Sequence, residues 1–220
     1  MEKAPRKLSE LVYQTLEKAI LDQKFTYGQK LSEVEIGNAL GVSVTPVREA
    51  FMRLEREGLI TWAYHRAPTV RTFTEREIIE LCDLREALEL LSLRLAVPKI
   101  DEVGIRSLVE SQKQAEAFLA AGDFSNYLRT NAKFHHILVG IAGSRLLGRT
   151  MRSIGNRIFL INRMSAQVVG TPPKAIREHY ELIDALAARD LTEAQRLMSV
   201  HIRNAKERMV TVYRQQMGQS

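Results

Sequence analysis

The sequence has a single cysteine, Cys82, among its 220 residues. One cysteine allows no internal disulfide, so a packed core must hold the fold, and we expect a reducing, cytoplasmic location. No run of roughly 18 or more apolar residues is present, so no transmembrane helix is predicted. The first residues contain no apolar stretch, so we also expect no signal peptide.

Acidic residues are missing between Asp123 and Glu178, although that stretch is rich in arginine and lysine. The net charge of the chain is +6, which favours anionic partners. In the first 73 residues, however, acidic and basic side chains nearly balance. Bulk charge alone therefore does not identify a nucleic-acid partner, and the evidence must come from motifs.

The stretch 41–54 has the pattern of a helix packed from behind with its first turn exposed. Thr45 is predicted to cap the helix, and Pro46 suits the first helical position because its missing N–H has no helical partner there. Arg48 falls outside the buried face. Apolar residues recur at helical spacing and define that face: Val47, Ala50, Phe51 and Leu54.

A shorter helix is predicted just before this one. Ser32 and Glu35 have the spacing of a capping box, and Gly41 provides a tight turn between the two helices. The apolar side of the shorter helix is predicted to comprise Ile36, Ala39 and Leu40. An earlier helix over 9–21 should pack behind the pair, with an inward face of Leu11, Val12, Thr15, Leu16, Ala19 and Ile20.

Two short strands are predicted after Gly58, which should end the exposed helix. They span 59–62 and 69–72, and residues 65–68 form the tip between them. Two helices joined by a glycine turn and followed by a hairpin make a winged helix-turn-helix, which places its second helix in the major groove of DNA.

Four motifs stand out in this region: Leu31-Ser-Glu, Leu40-Gly-Val-Ser, Thr45-Pro-Val-Arg-Glu-Ala and Arg53-Leu-Glu-Arg-Glu-Gly-Leu-Ile. Through them the region resembles the DNA-binding domain of GntR-type transcription regulators. The resemblance implies DNA contacts by Ser43, Thr45, Arg48, His65 and Arg66. The chain departs from the family at Val44, where arginine is usual, and in the wing near Ala67, where glycine is usual.

The pattern is helical from about residue 74 to the end, with breaks at glycine or proline and one at Arg189-Asp190. We predict six helices, at about 74–96, 101–120, 124–142, 144–168, 173–188 and 190–215. Short loops between them indicate an antiparallel bundle. The predicted fold class is therefore mainly α, with a winged helix-turn-helix domain over 1–73 and an all-helical antiparallel bundle over 74–220.

Several short motifs follow one another along this second half: Leu84-Arg-Glu-Ala-Leu-Glu, Asn131-x-x-Phe-His, Glu178-His, Ala188-Arg-Asp and Met198-x-x-His. In their order and spacing they are similar to the all-helical ligand-sensing domain of the FadR branch, often called the FCD domain. The resemblance implies that residues 74–220 form an effector-binding and dimerisation domain.

Three predicted helices each direct one histidine toward the interior of the bundle: His135, His179 and His201. Three neutral imidazoles can hold a divalent cation such as Zn, Ni or Mn. The resemblance implies the same three ligands, together with an Asp or Asn four residues before the first histidine. Asn131 occupies that position in this chain. Because an amide is a weaker ligand than a carboxylate, we expect lower metal affinity, or a site completed by the carboxylate of an effector. The alternative is three hydrogen-bonded core histidines without metal.

Two arginines are candidates for holding an anionic effector. Arg85 flanks the leucine stripe of its helix (Leu81, Leu84, Leu88 and Leu95), and its motif often lines the effector cavity in the family. Arg157 lies at the apolar edge of a helix in the acid-free stretch. An arginine in a pocket can bind a carboxylate through two parallel hydrogen bonds.

These features favour a homodimeric, metabolite-responsive transcription regulator, expected to be a repressor that binds an inverted-repeat operator. Its helical domain is predicted to sense a small carboxylate, with a divalent metal. One alternative keeps the regulator without metal, with an acyl or carboxylate ligand. A metal-dependent hydrolase is the other alternative, and it is disfavoured because no acid pairs with the histidines at motif spacing. We therefore expect no enzymatic activity.

Overall fold

The computed structural model describes residues 4–64, 66–165 and 171–217. Within these residues the chain is mainly α-helical with one small two-stranded sheet, which confirms the predicted fold class. The chain divides into two compact units, Met1–Phe73 and Thr74–Ser220. Each unit has its own buried core.

The N-terminal unit consists of three helices followed by a hairpin. The two strands pair antiparallel, with Ile60 opposite Val70 and Thr61 opposite Thr69. The elements are α1 (Ala4–Leu21), α2 (Glu33–Leu40), α3 (Val44–Arg56), β1 (Ile60–Thr61) and β2 (Thr69–Val70).

Helix α3 begins earlier than predicted. Ser43, not Thr45, is the N-cap residue, and Pro46 occupies the third helical position. This is tolerated because the first four N–H groups of any helix have no intrahelical acceptor, so proline removes no bond there. The end of the helix is as predicted, since Gly58 follows it with a φ of 70°. The buried face is also confirmed: Val47, Ala50, Phe51 and Leu54 are at most 1% exposed.

The faces of α1 and α2 were predicted less well. On α1, Leu11 and Thr15 are exposed, whereas Tyr13 is buried. Its single hydroxyl hydrogen is shared between the carboxylates of Glu17 and Glu57, each with an oxygen 2.6 Å from the hydroxyl oxygen. On α2 only Ile36 of the predicted apolar side is buried, and Ala39 and Leu40 are exposed. Gly37 lies on the inner side instead, where an added Cβ would approach the carbonyl oxygen of Val42 to 2.9 Å.

The C-terminal unit contains six helices in its described residues, each within a few residues of its predicted bounds. The most extensive helix contacts are those between α5 and α6 and between α4 and α9. No helix in the described parts of the chain is both long and apolar enough to cross a membrane. The elements are α4 (Glu75–Ala96), α5 (Glu102–Ala120), α6 (Phe124–Ala142), α7 (Arg145–Ser165), α8 (Thr171–Ala187) and α9 (Leu191–Met217).

The predicted leucine stripe of α4 is confirmed except at Leu84, which is 44% exposed. Leu81, Leu88 and Leu95 are partly buried against a hydrophobic cluster formed largely by α6 and α7. The fully buried positions of α4 include the polar residues Arg85, Glu89 and Ser92. Hydrophobic periodicity did not predict these polar positions, which face a polar cluster inside the bundle that is described next.

Candidate functional site

Three buried histidines meet inside the C-terminal unit. His135 comes from α6, His179 from α8 and His201 from α9, and none is more than 4% exposed. One ring nitrogen from each lies within 4.8 Å of the others. The structure therefore brings together the three histidines that the sequence singled out, and the distance is one that a single cation could span.

Two of the rings are oriented through Nδ1. The Nδ1–H of His179 donates to Oε1 of Gln112 at 3.0 Å, and that of His201 donates to Oε2 of Glu178 at 2.7 Å. Phe134 stacks on His179 with ring centroids 4.0 Å apart. Each neutral ring then keeps a lone pair on Nε2, and the two Nε2 atoms lie only 3.3 Å apart.

The third ring lies against a buried acid. Oε1 of Glu89 is 2.9 Å from Nδ1 of His135 and 3.4 Å from Nε of Arg85. The contact with His135 is close but not aligned as a hydrogen bond, so both ring nitrogens of His135 and Oε2 of Glu89 lack a hydrogen-bond partner among the described residues. Buried polar atoms that lack hydrogen-bond partners are characteristic of a site that binds an ion, a water molecule or a ligand.

Burial controls the protonation of the cluster. It lowers the pKa of His135, His179 and His201, so the imidazoles are neutral and able to act as ligands. Burial also raises the pKa of Glu89, against the opposing charge of Arg85. Burial acts to raise the pKa of Glu178 as well. The hydrogen bond from His201 and the nearby positive charges together outweigh burial, so the pKa of Glu178 is lowered.

A small cavity adjoins His201. Its volume is about 30 Å³, space for roughly one or two water-sized groups. Asn131, the fourth predicted metal ligand, lies in its wall, one helical turn before His135. The wall consists of Arg85, Tyr127, Leu128, Asn131, Asn162, Pro172, Ala175, His201, Ala205 and Arg208.

Two arginines give this cavity a positive lining. Arg85 is 5% exposed and was predicted as an effector contact. Arg208, on α9, was not predicted; it is partly buried, and no hydrogen bond or ion pair to it is found among the described residues. Arg157, the second predicted contact, is partly buried on α7 and is not among the residues that line the cavity.

Sequence reasoning missed the acids and the amide that hold the histidines. The argument that no acid pairs with the histidines was wrong, because Glu89 and Glu178 both contact them. Glu89 ends a motif already noted and lies one turn after Arg85, which could have indicated it. Gln112 lies on α5, and only its position among buried residues distinguishes it. Glu178 orients His201 through a hydrogen bond and Glu89 lies against His135, and neither arrangement by itself supports a hydrolase.

Four of the five predicted DNA-contacting residues are exposed on the N-terminal unit. Ser43, Thr45 and Arg48 are exposed at the start of α3, and Arg66 is exposed in the wing. His65, the remaining predicted contact, lies outside the described residues.

The exposed turn of α3 is shorter than expected. Pro46 is buried, and Arg53 is held against α1 by Glu10 at 2.6 Å and by the ring of Tyr13 at 3.5 Å. Only part of α3, the helix expected to enter a major groove, is therefore exposed. Arg48 forms a two-point ion pair with Glu33.

Comparison with known families matches both halves of the chain. Residues 8–70 match the model of bacterial regulatory proteins of the gntR family, and residues 80–204 match the FCD domain. The second match alone covers more than half of the chain.

Individual relatives match this chain over most of their own length. The chain is 26% identical over 200 residues to the HTH-type transcriptional repressor RspR of Escherichia coli K12, covering 91% of this chain and 88% of the relative. It is 28% identical over 194 residues to the Nta operon transcriptional regulator of Aminobacter aminovorans, covering 86% and 89%.

Solved structures agree with the fold. A Rhodococcus sp. RHA1 structure described as a GntR transcriptional regulator superposes with a TM-score of 0.83 at 27% identity, over 92% of this chain and 97% of that one. Escherichia coli McbR superposes with a TM-score of 0.80 at 21% identity, over 94% and 98%, and supports the fold alone. The chain belongs to the GntR family of helix-turn-helix transcriptional regulators, in the group with a C-terminal FCD domain.

Proposed function

We propose that this regulator is a homodimeric repressor whose C-terminal unit binds a small organic acid beside a divalent metal. The 3.3 Å approach of the Nε2 atoms of His179 and His201 is the observation that carries this proposal. Because the two Nδ1–H groups donate to Gln112 and Glu178, the lone pairs of the two Nε2 atoms face each other in the buried interior of the bundle. A cation between them removes that repulsion.

The donor set fits a borderline transition metal. Three neutral imidazoles suit Zn, Ni or Mn, and Asn131 is available as a weak oxygen ligand from the cavity wall. The carboxylate of an organic acid entering the cavity would supply the negative charge that Asn131 lacks. Arg85 and Arg208 would hold the remainder of the acid, and the cavity would have to widen to admit it.

The N-terminal unit supports the operator-binding half of the proposal. Ser43, Thr45, Arg48 and the wing residue Arg66 are exposed side chains of the types that contact phosphates and base edges. His65, in the predicted wing tip, remains a proposed contact. Two copies related by a two-fold axis would recognise an inverted repeat. The repressor name of the RspR relative supports repression, and such a regulator would act on DNA in the cytoplasm.

Metal binding is tested by calorimetric titration of chelator-treated protein with Zn²⁺, Ni²⁺ and Mn²⁺. We expect one ion per chain, with binding lost in His179→Gln and retained in His136→Gln, which changes a histidine outside the cluster. Failure of all three ions to bind would favour the metal-free regulator.

Effector sensing is tested by titrating mono-, di- and tricarboxylic acids against the protein bound to an operator duplex, with and without metal. We expect at least one acid to release the duplex only when metal is present. Release that is independent of metal would separate the carboxylate site from the histidine cluster.

A further inference from the structure

An ion pair joins the first turn of α2 to the exposed face of α3. Nε of Arg48 donates to Oε1 of Glu33 at 2.9 Å, and Nη2 donates to Oε2 at 2.8 Å. The side chain of Arg48 is 58% exposed, whereas that of Glu33 is only 18% exposed. The carboxylate therefore lies behind the guanidinium, which faces outward.

This geometry uses one edge of the guanidinium and leaves another open. Glu33 takes Nε–H and one hydrogen of Nη2, so the other hydrogen of Nη2 and both hydrogens of Nη1 remain available. Those two nitrogens present parallel donors, which match two acceptors side by side. Guanine offers such a pair, O6 and N7, in the major groove.

The ion pair also changes what Arg48 attracts. A free arginine on a DNA-facing helix is drawn to every phosphate, whatever the sequence. A carboxylate at contact distance offsets that attraction, and it also restricts the rotamers of the long side chain. What remains favoured is a fixed, two-point contact with a base.

We propose that Glu33 is a specificity-determining positioning residue, which fixes Arg48 for base recognition and weakens its attraction to the phosphates of non-operator DNA. The inference rests on the proposed contact of Arg48 with DNA. Because Glu33 holds Arg48 from behind, it acts through the arginine and need not touch the duplex itself.

The chain offers a matched control in the same turn of α2. Glu35 is an exposed acid two residues away, and no ion pair to it is found among the described residues. The variants Glu33→Gln and Glu35→Gln remove the same charge from nearly the same place, but only the first one releases Arg48.

The experiment uses the full chain and a duplex selected from a randomised library by the unmodified protein. Binding to this duplex, and to a scrambled version of it, is measured by fluorescence anisotropy over a range of salt concentrations. The folded state of each variant is checked through the fluorescence of Trp62, the one tryptophan of the chain, which packs on Phe51.

For Glu33→Gln we expect about threefold to tenfold tighter binding to the scrambled duplex, with a salt slope steeper by about one. The ratio of selected to scrambled affinity should fall by about tenfold as the fixed base contact is lost. For Glu35→Gln both affinities should change by a similar factor and leave the ratio intact.

Two outcomes would overturn the inference and are distinguishable. An unchanged ratio in Glu33→Gln, or equal effects of the two variants, would show that Glu33 contributes only bulk charge. A protein that enriches no sequence from the library would instead overturn the proposed operator binding, and this inference with it.

Discussion

Oε1 of Glu89 lies 2.9 Å from Nδ1 of His135, and both side chains are sealed inside the helical bundle. A carboxylate behind a metal-binding imidazole fixes the ring and raises its basicity. Asn131 contributes no charge to the proposed site, so Glu89 is the buried acid in contact with His135 that could offset the charge of a cation. Its neighbour Arg85 contacts this acid and also lines the cavity beside His201.

We expect Glu89→Gln to weaken metal binding by about tenfold to a hundredfold. The amide keeps the shape of the side chain but supplies no charge behind His135. Calorimetric titration with Zn²⁺ measures the change. Glu86→Gln, on the same helix but paired with Arg203 outside the cluster, should bind metal normally. Equal metal affinity in the two variants would contradict the role given to Glu89.

The pH dependence of the metal-free protein should follow from the lowered pKa values of the buried histidines. Unfolding returns each ring to its ordinary pKa of about 6.5, so the unfolded chain binds more protons below that pH. The histidine contribution to stability is therefore complete above about pH 6.5 and is lost as the pH falls. The raised pKa of Glu89 acts in the opposite direction, because its protonation favours the folded state.

Calorimetry of chelator-treated protein between about pH 7 and pH 5.5 measures this effect. We expect the unfolding temperature of the C-terminal unit to fall across this range. The fall should be smaller in His179→Gln, which removes one of the groups that must gain a proton. The prediction is wrong if the two proteins lose stability in parallel.

Much of the architecture was accessible from sequence because it depends on local pattern. Glycine and proline breaks placed the six C-terminal helices, and helical spacing directed His135, His179 and His201 to one interior. The same reasoning failed where packing decides the face. Leu84 has the expected period yet is exposed, because a buried polar cluster takes the inner side of α4.

The residues that contact the histidines could not be predicted from local sequence patterns. Gln112 comes from α5, 67 residues before His179, and the two meet only because α5 packs on α8. Glu89 and His135 likewise lie on different helices. No local rule connects such residues, so their contacts follow from the tertiary fold and not from motif spacing.

The two cavity arginines should separate metal binding from effector binding. We expect Arg208→Gln to weaken binding of the organic acid while metal affinity is retained, since no hydrogen bond or ion pair to Arg208 is found among the described residues. Arg85→Gln should weaken both, because Arg85 lies 3.4 Å from Glu89 and its charge favours the ionised carboxylate behind His135. Titrations with Zn²⁺ alone, and then with a carboxylate panel, measure the two effects. Equal metal affinities in the two variants would contradict the proposal that Arg85 influences metal binding through Glu89.

The wing should contribute affinity without sequence preference. Arg66 is exposed and is proposed to contact phosphate, so Arg66→Ala should weaken binding to selected and scrambled duplexes alike. The salt slope should decrease by about one, as expected for the loss of one phosphate contact. Arg106→Ala removes an exposed arginine from the C-terminal unit and should leave the slope unchanged. A loss confined to the selected duplex would indicate base recognition by Arg66 instead.

The turn between α2 and α3 requires glycine for its backbone and not for space. Gly41 has a φ of 67°, and an added Cβ would meet nothing within 4 Å. Gly41→Ala should therefore destabilise the N-terminal unit by about 1–2 kcal/mol through backbone strain alone. Urea unfolding followed by Trp62 fluorescence reports on this unit, since Trp62 packs on Phe51 of α3. Gly41→Asn should cost less, because asparagine tolerates the left-handed region. If both variants are equally unstable, side-chain contacts and not strain set the cost.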